Sequence, residues 1–346
     1  MKTTKILLNN IKLRYSQLKV MALLVISVIF VMSQILGVFK YPVNDDSDIA
    51  FLQSHGERDY LYKEAAYEEQ QVLAIEYLRN IISTENVDTD KLNTAIDVIE
   101  TKGLSIAIEV YNNDNYVSPW LDLAVSLSKQ RLLSPTEINE NIMMQSSGYG
   151  YQQDFQNKYI TYGSAILGFL LIALAYFFIK TDDNIHSRDL YSHLVGGKNK
   201  YFRLQFLTLT LPVLVSFYII GCGINLFSYF RFHNAGLPIT YLPFSIKFLT
   251  FFVPNIMIFA GVSAAMMIAF EKSSQVIPVY LLWCVMNITP QATRINGVLE
   301  KLFFFKRLDF TNIIITDNLI VAQLIGVTVS ILIFEAALMI RKRKEA

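Results

Sequence analysis

Cysteine is almost missing from this chain. Its 346 residues hold two, Cys222 and Cys284, and both fall inside apolar runs, where a thiol acts as a small packing residue. The stretch Tyr41–Asn157 has none. That excludes a disulfide framework there and, along the whole chain, zinc sites built from CxxC pairs; a cysteine-free exported segment fits a bacterial source. Histidine is scarce too, at four. His55 and His233 stand apart, and His186 and His193 read as polar loop residues in preference to a metal pair. No HExxH, GxSxG or P-loop motif occurs, so the residue patterns that carry zinc, acyl-transfer and nucleotide chemistry are absent. No catalytic residue, cofactor ligand or metal ligand is assigned, the chain is not expected to be an enzyme, and no nucleic-acid partner is expected. Charge of either sign is also thin, at 17% of residues.

What is abundant is hydrophobic surface, 53% of the residues, gathered into runs. These are Val20–Val38, Tyr159–Ile179, Leu204–Ser228, Ile246–Phe270, Val276–Thr289 and Leu319–Ile340. A helix needs about 20 apolar residues to cross a hydrocarbon core of about 30 Å. Five runs reach that length, and Val276–Thr289 is short. The expectation is an all-α polytopic membrane protein with six transmembrane helices and a mainly helical extracellular domain between the first and second.

The small net charge, +1, hides a partition. Tyr41–Asn157 holds 20 acidic and 7 basic residues, and the rest of the chain 9 acidic and 23 basic. Lys and Arg in short loops orient a membrane protein with its positive loops inside. Placing the N-terminus inside puts 15 basic residues on the inner segments and 5 on the two short outer loops. Both termini are therefore expected in the cytoplasm of a bacterial cell, with the acidic insert outside. The acidity of the insert reads first as a solvated surface, and second as a means of steering cationic peptides to the outer face.

Along the chain, residues 1–19 contain no acid and place Leu7, Ile11, Tyr15 and Leu18 at helical spacing, the pattern of an amphipathic helix in the inner interface. No small-x-small cleavage site precedes Lys40, so 20–38 reads as an uncleaved anchor. In the domain at 41–157, Leu92, Ala95, Ile96 and Ile99 share one helix face and Gly103 stops it. Ser118-Pro119 and Ser134-Pro135 read as N-caps followed by proline, the second with Glu137 completing a capping box. Leu104–Tyr111 is the one stretch that could be a strand, and QSSGYGYQQ reads as a flexible linker into the second span. The region 159–340 carries spans two to six. Pro254-Asn255 is expected to kink the fourth, 291–318 to dip into the outer interface, and 341–346 to form a basic tail. Glu335 is the main intramembrane carboxylate. It is expected either to reach the interface or pair with a neighbour, or to serve a substrate or proton.

Between spans two and three lies a polar loop, 180–203, reading KTDDNIHSRDLYSHLVGGKNKYFR. It places Leu190 and Leu194 on one helical face with Tyr191 nearby, then breaks at Gly196-Gly197. This loop and the order of elements around it resemble the permease subunit of the type 2 ABC exporter family. The resemblance covers the architecture of the whole chain and is weak in sequence. It matches Arg188, Leu190, Tyr191, Leu194, Gly196, Gly197 and Lys200 to the helix that couples such permeases to their ATPase. His186-Ser187-Arg188-Asp189 stands where the family commonly has Glu-Arg-Glu. The resemblance further implies that the amphipathic segment matches the family's connecting helix and 291–318 its outer re-entrant helices. An ABC ATPase subunit would bind ATP and Mg, and a second permease half, identical or different, would complete the path through the membrane lipid. The implied activity is alternating-access export or clearance of an amphipathic substrate such as a peptide or antibiotic. A membrane sensor or immunity protein whose outer domain binds a peptide is the alternative, and an enzyme acting on lipid is the third.

Overall fold

The computed structural model describes residues 2–57, 60–85, 87–180, 195–270, 273–288 and 317–345. These divide into two compact units, Met1–Phe39 with Gly148–Ala346, and Lys40–Ser147.

The first unit is a bundle of long apolar helices. It contains α1 (Lys2–Tyr15), α2 (Leu18–Gln34) and a short 3-10 turn, Leu36–Phe39. Six helices of the second unit, α3 (Asp46–Ser54) to α8 (Pro135–Gln145), follow in the chain. The bundle resumes with α9 (Gln152–Ala175, prolonged by the π-turn Tyr176–Lys180), α10 (Lys198–Asn234), α11 (Phe244–Ala269), α12 (Ser273–Ile288) and α13 (Asp317–Glu345). Among the described residues four helices are long and apolar enough to cross a membrane, or five if α1 and α2, bent by 80°, count as one span. The fifth expected span, α12, is a shorter apolar helix with Pro278 inside it. Large apolar side chains stand exposed on many turns, including Ile26 and Ile29 on α2, Val215 and Ile219 on α10, Leu282 on α12 and Leu332 on α13. A protein in water rarely shows so much contiguous apolar surface; the bundle is membrane-embedded.

Helix α9 is the hub, packing against α2, α10, α11 and α12. Small residues permit this close approach, as they do wherever helices meet in lipid. A methyl added at Gly163 would sit 2.9 Å from Phe252, and one at Gly168 would sit 3.2 Å from Phe259. Gly221 of α10 lies directly under the Phe244 ring, and Gly261 of α11 packs on Ser330 of α13. Aromatic rings fill the space between, with Tyr159 beside Phe155, Phe217, Phe244 and Phe252. The Tyr159 hydroxyl donates to the Phe217 carbonyl at 2.8 Å. Within α11 the irregularity expected at Pro254 takes a definite form. Phe248–Phe252 is π-helical, and Pro254 follows directly, at the second residue of Val253–Ala269; a proline or a π-turn is a usual cause of such a break within a helix.

The second unit is helical with one small sheet. It comprises α3 (Asp46–Ser54), β1 (Tyr62–Glu64), α4 (Tyr67–Thr84), α5 (Thr89–Lys102), α6 (Leu104–Tyr111), α7 (Val117–Ser128), β2 (Gln130–Leu132) and α8 (Pro135–Gln145). Ala74 and Leu78 of α4 meet Leu92, Ile96 and Ile99 of α5, with Leu104, Ala107, Leu121 and Ala124, in one core. β1 and β2 pair antiparallel, Tyr62 opposite Leu132. The folded unit differs from its sequence pattern at three places. Leu104–Tyr111 is a helix, not a strand. Helix α7 begins before Ser118, and its first amides, Tyr116 and Val117, are held by the Asp114 carboxylate at 2.8 and 3.0 Å. Gly148–Asn157 belongs to the bundle, with Tyr151 fully buried and α9 already begun at Gln152, so QSSGYGYQQ is not a flexible linker. The cap at Ser134 is as expected: its hydroxyl and the Glu137 side chain form a capping box on α8.

Candidate functional site at the basic end of the bundle

Arg14, Lys19, Lys180, Arg203 and Arg341 of the first unit gather at one end. Tyr15 of α1 stacks edge-on to Phe178 of the π-turn, Arg14 lies over the same ring, and Lys19 of α2 lies over Phe177. Lys180, where the π-turn ends, donates to the carbonyl of Phe270 at the end of α11. Across from these, three contacts among the described residues join α10 and α13. Phe206 packs on Phe334 at 5.0 Å, Arg203 meets Glu335, and the Arg341 guanidinium lies 4.9 Å over Phe202.

The Arg203–Glu335 pair is bidentate, Nε to Oε1 at 3.0 Å and Nη2 to Oε2 at 2.8 Å. This planar fork is the geometry a guanidinium offers and an ammonium cannot. Glu335 therefore pairs with a neighbouring helix. Its partner is 132 residues away, and no local pattern in the chain points to it. The Arg341 guanidinium, further along α13, lies over the Phe202 ring.

Of the loop residues, Arg188, Leu190, Tyr191 and Leu194 lie outside the described residues, as do His186, His193 and nearly all of 291–318. Gly196 and Gly197 are described. Both have positive φ, +88° and +123°, a region that side-chain-bearing residues rarely enter. They turn the chain into α10, whose first backbone bond runs from Tyr201 N to Gly197 O. Lys200 sits on that first turn with its side chain over Gly196. The break expected at the glycine pair is thus a sharp corner at a helix start.

Helix α1 lies against α10 through hydrogen bonds that the amphipathic pattern does not reveal. Asn10 donates to Thr208 Oγ1 at 2.8 Å and to Gln205 Oε1 at 3.3 Å, and the Tyr15 hydroxyl donates to the Leu209 carbonyl. At the opposite end of the bundle a second polar group was likewise hidden. The Gln152 side chain holds the 235–243 turn at Thr240 O and Leu242 N, while Gln156 and Asn225 both donate to Leu242 O at 2.9 Å. Lys247 donates to Asn157 Oδ1 at 2.7 Å. Read along the chain these amides look like the polar margin of a span; folded, they clamp the 235–243 turn.

Among the described residues no group of three or more His, Cys, Asp or Glu side chains is placed to hold a metal ion. No known protein family, no curated protein and no solved structure matches the chain.

Proposed function

We propose that this protein is the membrane-embedded subunit of an ATP-driven exporter of amphipathic substrates, peptides or antibiotics in the first place. A separate ATPase subunit docks on the 180–203 loop, and a second permease half completes the path. The observation that supports this reading best is how the loop is anchored. Its entry is tied at Lys180 to the end of α11, and its exit at Arg203 to α13. A displacement of the loop would be felt by α9 and α10 directly, and through those two bonds by α11 and α13. Such wiring suits a loop that passes an ATPase's closure to the spans, since a partner can drive a transition only by binding one arrangement better than the other. The glycine corner at Gly196-Gly197 adds a place where the chain can change direction without moving α10.

The test is co-purification from native membranes in a gentle detergent, with mass identification of the partners and an ATPase assay. The expected result is a stoichiometric ATP-binding subunit with turnover, lost in Leu194→Asp while the helical circular dichroism is kept. A protein that purifies alone, or with a kinase, points to a sensor instead. Unchanged co-purification of Leu194→Asp removes the loop from the coupling role.

A further inference from the structure

Helix α1 lies across the direction of its neighbour. It is bent by 80° from α2, which carries no charge after Lys19 and packs along α9. Its bonds to α10 reach Gln205, Thr208 and Leu209, at the start of the apolar run Leu204–Ser228. A helix so placed lies near the membrane plane, at the level where the apolar part of α10 begins. Its apolar stripe serves the bundle: Leu7, Ile11 and Tyr15 are half-buried, Asn10 and Tyr15 bond to α10, and Arg14 is 5% exposed. The opposite side is different. Lys5, Asn9, Lys12 and Ser16 are all exposed, and their spacing of four, three and four puts them on one helix face. Leu8, 60% exposed, and Leu13, 49%, flank that face. Lys19, seven residues beyond Lys12, is exposed as well. Among the described residues neither Lys5 nor Lys12 has an ion-pair partner, and the first 19 residues hold no acid.

We propose that this outward face of α1 is a contact surface for anionic phospholipid headgroups, through which the charge of the leaflet bears on α10. One side of α1 rests against α10, so its opposite side points away from the bundle, toward the surrounding lipid. At that level lysine stems lie along apolar surface while their ammonium groups reach the phosphates. Unpaired lysines near an anionic leaflet are drawn to it. The exposed Leu8 and Leu13, with Leu18 and Met21 beside them on α2, suit the acyl boundary below the headgroups. An acidic protein would match the lysines and leave those leucines without a role. The bonds from Asn10 and Tyr15 then make α1 a lever: lipid that holds α1 in place also holds it on α10 at Gln205, Thr208 and Leu209. The surface depends on the bundle's being in a membrane and is independent of what the protein moves.

The experiment places the purified full-length protein in nanodiscs of phosphatidylcholine alone or of phosphatidylcholine with phosphatidylglycerol. Amide hydrogen exchange of the α1 peptides is followed by mass spectrometry, since exchange reports how often a segment opens. In the parent, α1 is expected to exchange about ten-fold more slowly with phosphatidylglycerol present, the scale set by two lysines at an anionic surface. High salt should remove most of that difference by screening. Lys5→Gln/Lys12→Gln should lose it, and Lys5→Arg/Lys12→Arg should keep it. Lys63→Gln/Lys102→Gln, which neutralises two exposed lysines of the second unit, should behave as the parent. Equal exchange of α1 in the two bilayers would overturn the proposal, and the parent alone decides this should a variant fail to fold. So would a difference that survives in Lys5→Gln/Lys12→Gln, which would assign the lipid effect to other residues. No other protein is present in the discs, so a difference seen there belongs to lipid and not to an acidic partner.

Discussion

At the scale of single residues, the Arg203–Glu335 fork is the contact that most constrains the basic end. Arg203 is 57% exposed and Glu335 33%, so the pair stands where water or lipid headgroups reach it. Exposed pairs contribute roughly 0.2–1 kcal/mol, and a bidentate geometry between two packed helices belongs at the top of that range. A double-mutant cycle on the detergent-solubilised protein should therefore give a coupling of about 1 kcal/mol between Arg203→Gln and Glu335→Gln, with the swap Arg203→Glu/Glu335→Arg recovering most of it. Additive single effects would show that the two side chains are merely neighbours. A carboxylate whose task is to hold α10 against α13 should also be replaceable by Gln with transport kept. Complete loss of transport in Glu335→Gln, with the fold intact, would give that carboxylate a further task. The existence of Glu335 as an isolated carboxylate in an apolar run was plain from the chain. Its partner was not, because Arg203 lies near the start of a different helix and reads there as one more positive-inside residue.

At the scale of elements, helix α8 shows a local pattern and a tertiary contact acting together. Ser134, Pro135 and Glu137 form its start, and Arg131 of β2 then grips the Glu137 carboxylate at 2.6 and 3.1 Å while reaching Glu69 of α4 at 3.4 Å. The Arg131 guanidinium, followed by the Ser134 amide and hydroxyl, pulls the Glu137 carboxyl down from its ordinary value near 4.5 to about 2. A depressed carboxyl stabilises the fold above its unfolded value and loses that contribution as pH falls through the folded one. The Lys40–Ser147 segment, unfolded by denaturant and followed by circular dichroism, should thus weaken between pH 4.5 and 2. Glu137→Gln should flatten that fall without abolishing it, because Asp45, lowered by Ser47, and Asp114, lowered by the Val117 amide, titrate in the same direction. Parallel curves for variant and parent would mean the Arg131 grip contributes nothing. The cap was readable because all its parts lie within four residues. The strand reading of Leu104–Tyr111 failed because its polar residues Ser105 and Glu109 stand four apart, a spacing that a strand and a helix both place on one face. Only packing, with Leu104 and Ala107 buried on α6 against α5 and α7, decides for the helix. Ser118 failed as a cap because Asp114, two residues before the first helical amides, takes them first.

For the whole molecule, the charge partition and the two compact units divide the chain in nearly the same place, at Lys40 and Ser147. The acid-rich insert is a unit with its own core, and Arg14, Lys19, Lys180, Arg203 and Arg341 gather at one end of the bundle. An inside-out test of orientation is simple in a chain whose two thiols, Cys222 and Cys284, sit half-buried and buried in the bundle. In a Cys222→Ala/Cys284→Ala background, Ser126→Cys on exposed α7 should react with a membrane-impermeant maleimide in intact cells. Arg343→Cys should react only after permeabilisation. The reverse pattern would invert the expected topology. Six spans were counted from hydropathy alone, and the bundle yields four or five among its described helices. The count differs at two places, the bent α1–α2 pair and the short, proline-bearing α12.

The hydrogen bonds from α1 to α10 impose an order on biogenesis. Asn10 and Tyr15 are made first, yet their partners Gln205, Thr208 and Leu209 come 194 to 198 residues later. At about 5–20 residues per second of synthesis, roughly 10–40 s pass before α1 can meet the helix it rests on. Through that interval the acid-free N-terminal segment must wait in some other lodging, and its basic, amphipathic sequence is the one part of the chain suited to wait on a lipid surface.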